Sequence, residues 1–242
     1  MKDKSIGSHL VLENVSHSYG PVPVLSDLNL AVHSSEVVVL VGPSGCGKTT
    51  ILNLLSGHLQ PVTGSVRRAG VVRTVYQHDG LFPWLTVKEN IAIGLRSLED
   101  KKLQEKELAE LIDLIHLEGF EHHYPHQLSG GMRQRVELAR ALAGDSDILL
   151  MDEPFSALDY QARLRMRREL GRLLEQRPRT VVFVTHDIEE AAQLADRVLV
   201  LSGRPATICR ELHITSRRPR DLTDTAVIDA MKEILKELGL QK

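Results

Sequence analysis

From Leu10 to Leu30 apolar and polar residues alternate around the turn-rich Ser18-Tyr19-Gly20-Pro21. Period-two alternation gathers apolar side chains on one face of a strand, so this stretch predicts antiparallel strands with one solvated face. Val37 to Val41 does not alternate; an apolar run dominated by valine predicts a strand buried on both faces, as in a parallel sheet. Glycines follow, and then Lys48 to Ser56, where Ile51, Leu52, Leu54 and Leu55 fit a helix packed on that sheet.

Two more apolar runs have the same character. Ile148-Leu149-Leu150-Met151 ends in Asp152-Glu153, and Val181-Val182-Phe183-Val184 ends in Thr185-His186-Asp187. Helical patterns separate the runs, which is the logic of strand, crossover helix and parallel strand, with ligand chemistry at the carboxyl ends of the strands. From about Val87 to Gly144 the chain is charged and helical without a strong strand, and predicts a helical insertion. The tail from Thr223 to Leu238 sets Val227, Met231, Ile234, Leu235 and Leu238 on one helical face. The fold class is therefore α/β, a parallel sheet with an N-terminal antiparallel β-subdomain and an inserted helical subdomain.

At 242 residues the chain is long enough for one large domain or two small ones. Its longest unbroken apolar run, Val37 to Val41, is far below the roughly 20 residues of a membrane-spanning helix. Met1-Lys2-Asp3-Lys4 gives a charged lead without an apolar core of signal-peptide length behind it, so a cytoplasmic protein is expected. Cys46 and Cys209 lie far apart, with neither zinc-ligand nor disulfide-framework spacing. A net charge of -2 gives no global drive toward nucleic acid or anionic lipid, so no nucleic-acid partner is expected and any membrane contact needs a protein partner.

Gly42-Pro43-Ser44-Gly45-Cys46-Gly47-Lys48-Thr49 has the spacing of a phosphate-binding P-loop, in which backbone N–H groups and a helix N-terminus surround a polyphosphate. A glycine turn beside an incidental lysine would give the same letters, but the buried strand before it and the helix after it favour phosphate binding. Lys48 would reach the β- and γ-phosphates, and the Thr49 hydroxyl would ligate Mg²⁺. Asp152 ends an apolar strand, where a carboxylate can hold Mg²⁺ through water, and Glu153 is a candidate base for the attacking water. Adjacent acids are usually a solvated strand end; here the apolar run carries them to the sheet edge of the P-loop. Ser129-Gly130-Gly131, ahead of a helix expected to start near Arg133, forms a second phosphate-ready helix N-terminus.

The P-loop, Leu128-Ser129-Gly130-Gly131-Met132-Arg133-Gln134-Arg135, Ile148 to Glu153, Ser156-Ala157-Leu158-Asp159 and His186 together resemble the ordered motif set of ATP-binding-cassette (ABC) ATPases over nearly the whole chain. The resemblance implies a P-loop NTPase (RecA-like) core, an ATPase domain over residues 1–220 with the helical subdomain at about 87–144, and a short helical tail over 221–242. It implies ATP and Mg²⁺ as cofactors. Tyr19 would stack on adenine, and the loop from Gly42 through Thr50 would hold the phosphates. Thr49, Gln77 and Asp152 would serve the metal, while Glu153, His186, Lys48 and Gln77 would form the catalytic set. In this family two cassettes sit head to tail, so Ser129, Gly130 and Gly131 would act in trans and Asp159 would lie at the dimer contact. The pair would be a homodimer or a pairing with a related cassette.

The resemblance also implies transmembrane permease subunits docked around Gln77–Val87, a solute-binding protein met indirectly, and a peripheral place on the cytoplasmic face of the inner or cell membrane. Phe82 and Trp84 admit two readings from sequence: an exposed protein interface, or a local mini-core capping the helical subdomain. Pro125-His126-Gln127, Phe82 to Val87, Leu201 to Pro205 and Arg217 to Asp221 resemble the importer group for nitrate, sulfonates, taurine and similar small solutes. A non-transport ABC protein fits less well, because the chain has one P-loop and only about 80 residues between Lys48 and Ser129. Arg163, Arg165, Arg167, Arg168 and Arg172 form a solvated helix face balanced by Glu169 and Glu175 rather than a nucleic-acid contact. Cys46 is tolerated in the loop for its size, and a bulky thiol reagent there is expected to block ATP binding.

Overall fold

The computed structural model describes residues 7–76 and 80–240. Ser8–Tyr19 (β1) and Val22–His33 (β2) pair antiparallel, and their alternating apolar positions, among them Leu10, Leu12, Leu28 and Leu30, are buried. All five residues of Val37–Val41 (β3) are buried, and Lys48–Ser56 (α1) follows with the bounds its pattern gave. Thr63–Arg68 (β4) joins β1 to make a three-stranded sheet in the order β2-β1-β4, and Val72–Val75 (β5) opens the larger sheet.

The helical insertion consists of Val87–Ala92 (α2), Lys101–Leu114 (α3) and Gly130–Leu142 (α4). Then come Ile148–Asp152 (β6), Tyr160–Gln176 (α5), Thr180–Val184 (β7), Ile188–Leu194 (α6), Arg197–Leu201 (β8), Ile208–His213 (β9) and Thr225–Glu237 (α7). The second sheet has six strands in the order β5-β6-β7-β3-β8-β9; its neighbours are parallel except for β9, which runs antiparallel to β8 at the edge.

The continuous apolar strands are explained by two cores. Val37, Val39, Leu149, Met151, Val181 and Phe183 face one cluster, shared with Ile91, Ile112 and Leu138 of the helical insertion. Their neighbours Val38, Leu40, Ile148, Leu150 and Val182 face another, shared with α1 and the β1–β2 hairpin. Because successive side chains point to opposite faces, a strand between two cores must be apolar at every position. Val227 and Ile234 anchor α7, which packs on α6, so the tail's apolar face is used.

Candidate functional site

β3 delivers the chain into Gly42–Gly47, and the loop's shape depends on glycine. Gly45 and Gly47 have φ of 73° and 123°, and a Cβ at Gly47 would lie 2.8 Å from Val24 Cγ1. Gly47 also caps α1 without any side-chain hydrogen bond to the first turn, so the opening N–H groups of that helix are available to an anion. Lys48 is buried, its Nζ donating to the carbonyls of Gly42 at 2.8 Å and Pro43 at 3.0 Å. Cys46 turns into the core and is only 2% exposed. Its side chain packs among core residues rather than lining the cleft. Cys209 is the exposed thiol.

Strand order brings the other chemistry to the same edge. β7 lies between β3 and β6, with Val184 level with Leu40 on one side and Asp152 on the other. Residues leaving the three strands, Gly42, Glu153 and Thr185-His186, therefore emerge together. Asp152 is buried at the end of β6, and Glu153 takes a left-handed φ of 49°. That conformation costs on the order of 1 kcal/mol for a non-glycine residue. The Glu153 N–H donates to Val184 O at 2.9 Å, while its carbonyl accepts from Gln134 Nε2 at 3.1 Å and Ser156 Oγ at 3.0 Å. So held, the carboxylate Oε1 lies 3.1 Å from His186 Nδ1.

Tyr19, Val22 and Val24 of the hairpin, Ser44, Gly45 and Gly47 to Thr50 of the loop, and Glu153 enclose a cleft of about 460 Å³. Tyr19 is half exposed at its mouth, backed edge-on by the ring of His17 at 5.0 Å. Arg204, in the β8–β9 turn, lines the same cleft and donates from Nε to Gly45 O. Sequence reading missed this residue. An arginine beside Gly203 and Pro205 in a surface turn carries no pattern that points to a loop far away in the chain.

Ser129, Gly130 and Gly131 do not line the cleft. Ser129 is the N-cap of α4, its Oγ accepting from Met132 N at 3.2 Å, so the helix begins at Gly130 rather than near Arg133. A Cβ at Gly131 would meet Ala157 O at 3.1 Å, and Gln134 Oε1 accepts from Ala157 N at 2.9 Å. Gln134 thus ties α4 both to the Glu153 backbone and to the segment ending at Asp159, the N-cap of α5. Ser129 and Asp159 are both exposed.

The arginine helix departs from its expected solvated face. Arg172 pairs with Glu169 at the surface, at 2.8 Å, but Arg167 is 1% exposed and contacts Asp187, Glu189 and Glu190, with Arg163 adding a 3.0 Å bond to Asp187. The acids are the N-cap and first turn of α6, about 20 residues on, where helical spacing along α5 cannot find them. Glu190 also accepts from Thr185 Oγ1 at 2.6 Å, so the network holds the residue before His186. Burial raises the Glu190 pKa, opposed by the Thr185 hydroxyl and the charge of Arg167. Removing one partner of a buried ionic cluster costs about 3 kcal/mol. Arg167→Met is accordingly expected to lower the calorimetric Tm by roughly 10 °C. An unchanged Tm would show that the cluster contributes no net stability.

Gln77 lies outside the described residues. Beyond it, Leu81 is buried whereas Trp84 is 69% exposed, its ring 5.5 Å from that of Phe82. Leu81 thus packs inward while Phe82 and Trp84 are exposed. The fully buried Asn90 shapes the turn, accepting from Phe82 N at 2.9 Å and donating to Leu85 O at 2.9 Å. A second cleft of about 400 Å³ runs beside Phe82, lined by Arg73, Glu137 and Arg140. Among the described residues, no helix is long and apolar enough to cross a membrane.

A family model described as ABC transporter matches residues 25–156. The chain is 44% identical over 216 residues to an aliphatic sulfonates import ATP-binding protein of Pseudomonas syringae pv. tomato, covering 89% of this chain and 91% of that protein. It is 41% identical over 218 residues to a taurine import ATP-binding protein of Escherichia coli O157:H7, covering 86% of each. Among solved structures, a dimeric bacterial ABC transporter cassette superposes with a TM-score of 0.76 at 32% identity, covering 86% of this chain and 99% of that one. The same cassette in a dimeric post-hydrolysis state, bound to ADP and Pi, gives a TM-score of 0.75.

Proposed function

The chain belongs to the ABC transporter family, whose cassettes bind and hydrolyse ATP, and from that premise we propose that it powers import of a small solute of the nitrate, sulfonate or taurine class. The observation carrying the mechanism is the convergence of Lys48, Glu153 and His186 at one sheet edge, with Glu153 Oε1 3.1 Å from His186 Nδ1. In this reading Tyr19 stacks on adenine, and the backbone from Gly42 through Thr50 and the Lys48 ammonium hold the phosphates. Glu153 accepts a proton from the attacking water, and His186 orients the Glu153 carboxylate beside the terminal phosphate. Gln77 keeps its expected place in the metal and catalytic sets, as a proposal.

Thr49 lines the cleft and Asp152 ends β6 beside it. One hydroxyl and one carboxylate are a sparse set of hard oxygen donors, which suits Mg²⁺, an ion that retains waters and takes substrate phosphate oxygens. Bound there, Mg²⁺ would neutralise charge on the β- and γ-phosphates.

Ser129, exposed, with Gly130 and Gly131 would complete the site of another copy, with exposed Asp159 at the dimer contact; the dimeric state of similar cassettes supports a pair. Residues 1–220 are assigned to the ATPase domain, with the helical subdomain at about 87–144, and 221–242 to the tail. Permease subunits would dock around Gln77–Val87, holding the chain peripherally at the cytoplasmic face of the membrane, and the solute-binding protein would act through them. We predict that the cassette, reconstituted with its membrane subunits and solute-binding protein, shows ATPase stimulated by taurine, an aliphatic sulfonate or nitrate. Trp84→Ala should remove the stimulation and the uptake while the isolated cassette hydrolyses at the wild-type rate. Stimulation only by an unrelated solute would overturn the solute class, and normal uptake by the Trp84 variant would overturn the docking surface.

A further inference from the structure

We propose that Arg204 is a second cation for the nucleotide's phosphates, supplied by the β8–β9 turn rather than by the P-loop. The proposal rests on reading the cleft as the nucleotide site. Its grounds are positional. The turn is stapled to β2: Ala206 N donates to Val24 O at 2.8 Å, and Ala206 O accepts from Ser26 N at 3.3 Å. Val24 is the residue that packs against Gly47 and lines the cleft, so the turn is fixed to the wall of the site. Across it, Arg204 reaches over the P-loop. Its Nε donates to Gly45 O, and a Cβ at Gly45 would lie 3.2 Å from Arg204 Nη2.

The guanidinium is under-used by the protein. It is exposed and has no carboxylate partner among the described residues. A guanidinium has five N–H donors, and one serves Gly45. Lys48, also on the cleft wall, spends two of its three ammonium donors on loop carbonyls, leaving one for a phosphate. A planar, permanently charged fork at the rim of a phosphate loop matches the geometry of a phosphoryl group better than an ammonium does. The competing role is a strut, in which Arg204 only braces the Gly45 carbonyl.

Three full-length variants separate the roles by titration with MgATP. Arg204→Ala removes both charge and brace, and is expected to weaken binding about tenfold, as for one charge-assisted hydrogen bond. Arg204→Gln keeps a neutral N–H donor for Gly45, and Arg204→Lys keeps the charge. The phosphate role predicts that Gln binds as weakly as Ala and that Lys recovers most of the affinity. It also predicts that the gap between wild type and Ala narrows as ionic strength rises, because the rim is exposed to screening. A Gln variant that binds like wild type, or a gap indifferent to salt, would overturn the proposal in favour of the strut. Lys48→Ala is the reference: if it binds MgATP normally, the nucleotide reading of the cleft fails. If it loses binding while the Arg204 variants do not, the Arg204 proposal alone fails.

Discussion

Glu153→Gln is expected to slow ATP turnover by about 10²–10⁴-fold, the usual contribution of a general base, while leaving MgATP binding intact. The substitution is isosteric, and the contacts that position residue 153 are mostly backbone: N–H to Val184, and the carbonyl to Gln134 and Ser156. An amide there can still bond to His186 but cannot take a proton from water. The terminal phosphate then persists, and in the proposed head-to-tail arrangement, where it would bridge two protomers, the ATP-bound dimer is expected to accumulate. Gln134 ties α4, Glu153 and the approach to Asp159 together, so under the proposed roles ATP hydrolysis beside Glu153 would be linked to the surface a second copy would contact. Phosphate release measures the first effect and light scattering with MgATP the second. Wild-type turnover, or a variant that stays monomeric in ATP, would remove Glu153 from the role of base.

The core of the fold was legible in sequence because it is local and apolar. β3, β6 and β7 are uninterrupted hydrophobic runs, and α1 follows a glycine loop whose spacing is fixed by phosphate chemistry. Weaker elements were not read. β4 is mostly polar and exposed, recognisable only by its pairing with β1, and β5 has four residues. β8, with four buried apolar residues after Arg197, carried a signal as strong as that of β7 and was passed over. In the site, motif residues were found where spacing constrains them, whereas Arg167 and Arg204 were misread or missed. Their partners, Asp187 to Glu190 and Gly45, are distant in the chain, and one sequence does not record who meets an arginine after folding.

The proposed composite site makes the other large prediction. Lys48→Ala should lose nucleotide binding, because among the described residues it removes the only ammonium on the cleft wall. Ser129→Arg should be equally inactive for a different reason: Ser129 is exposed and away from its own cleft, so a bulky cation there obstructs only the partner's nucleotide. Loss of the α4 N-cap costs about 1 kcal/mol, so the fold survives, and circular dichroism checks this. Each variant alone should fall at least about 10²-fold in hydrolysis, as when a preorganised phosphate contact is lost. Mixing them restores activity. In a mixed dimer, the intact Lys48 of one protomer faces the intact Ser129 of the other, and the two lesions share the opposite site. Random pairing leaves about a quarter of all sites whole. Activity in the mixture well above that of either variant identifies sites shared between protomers. A mixture no more active than the mean of its components would place both residues in the same protomer's site and overturn the head-to-tail arrangement.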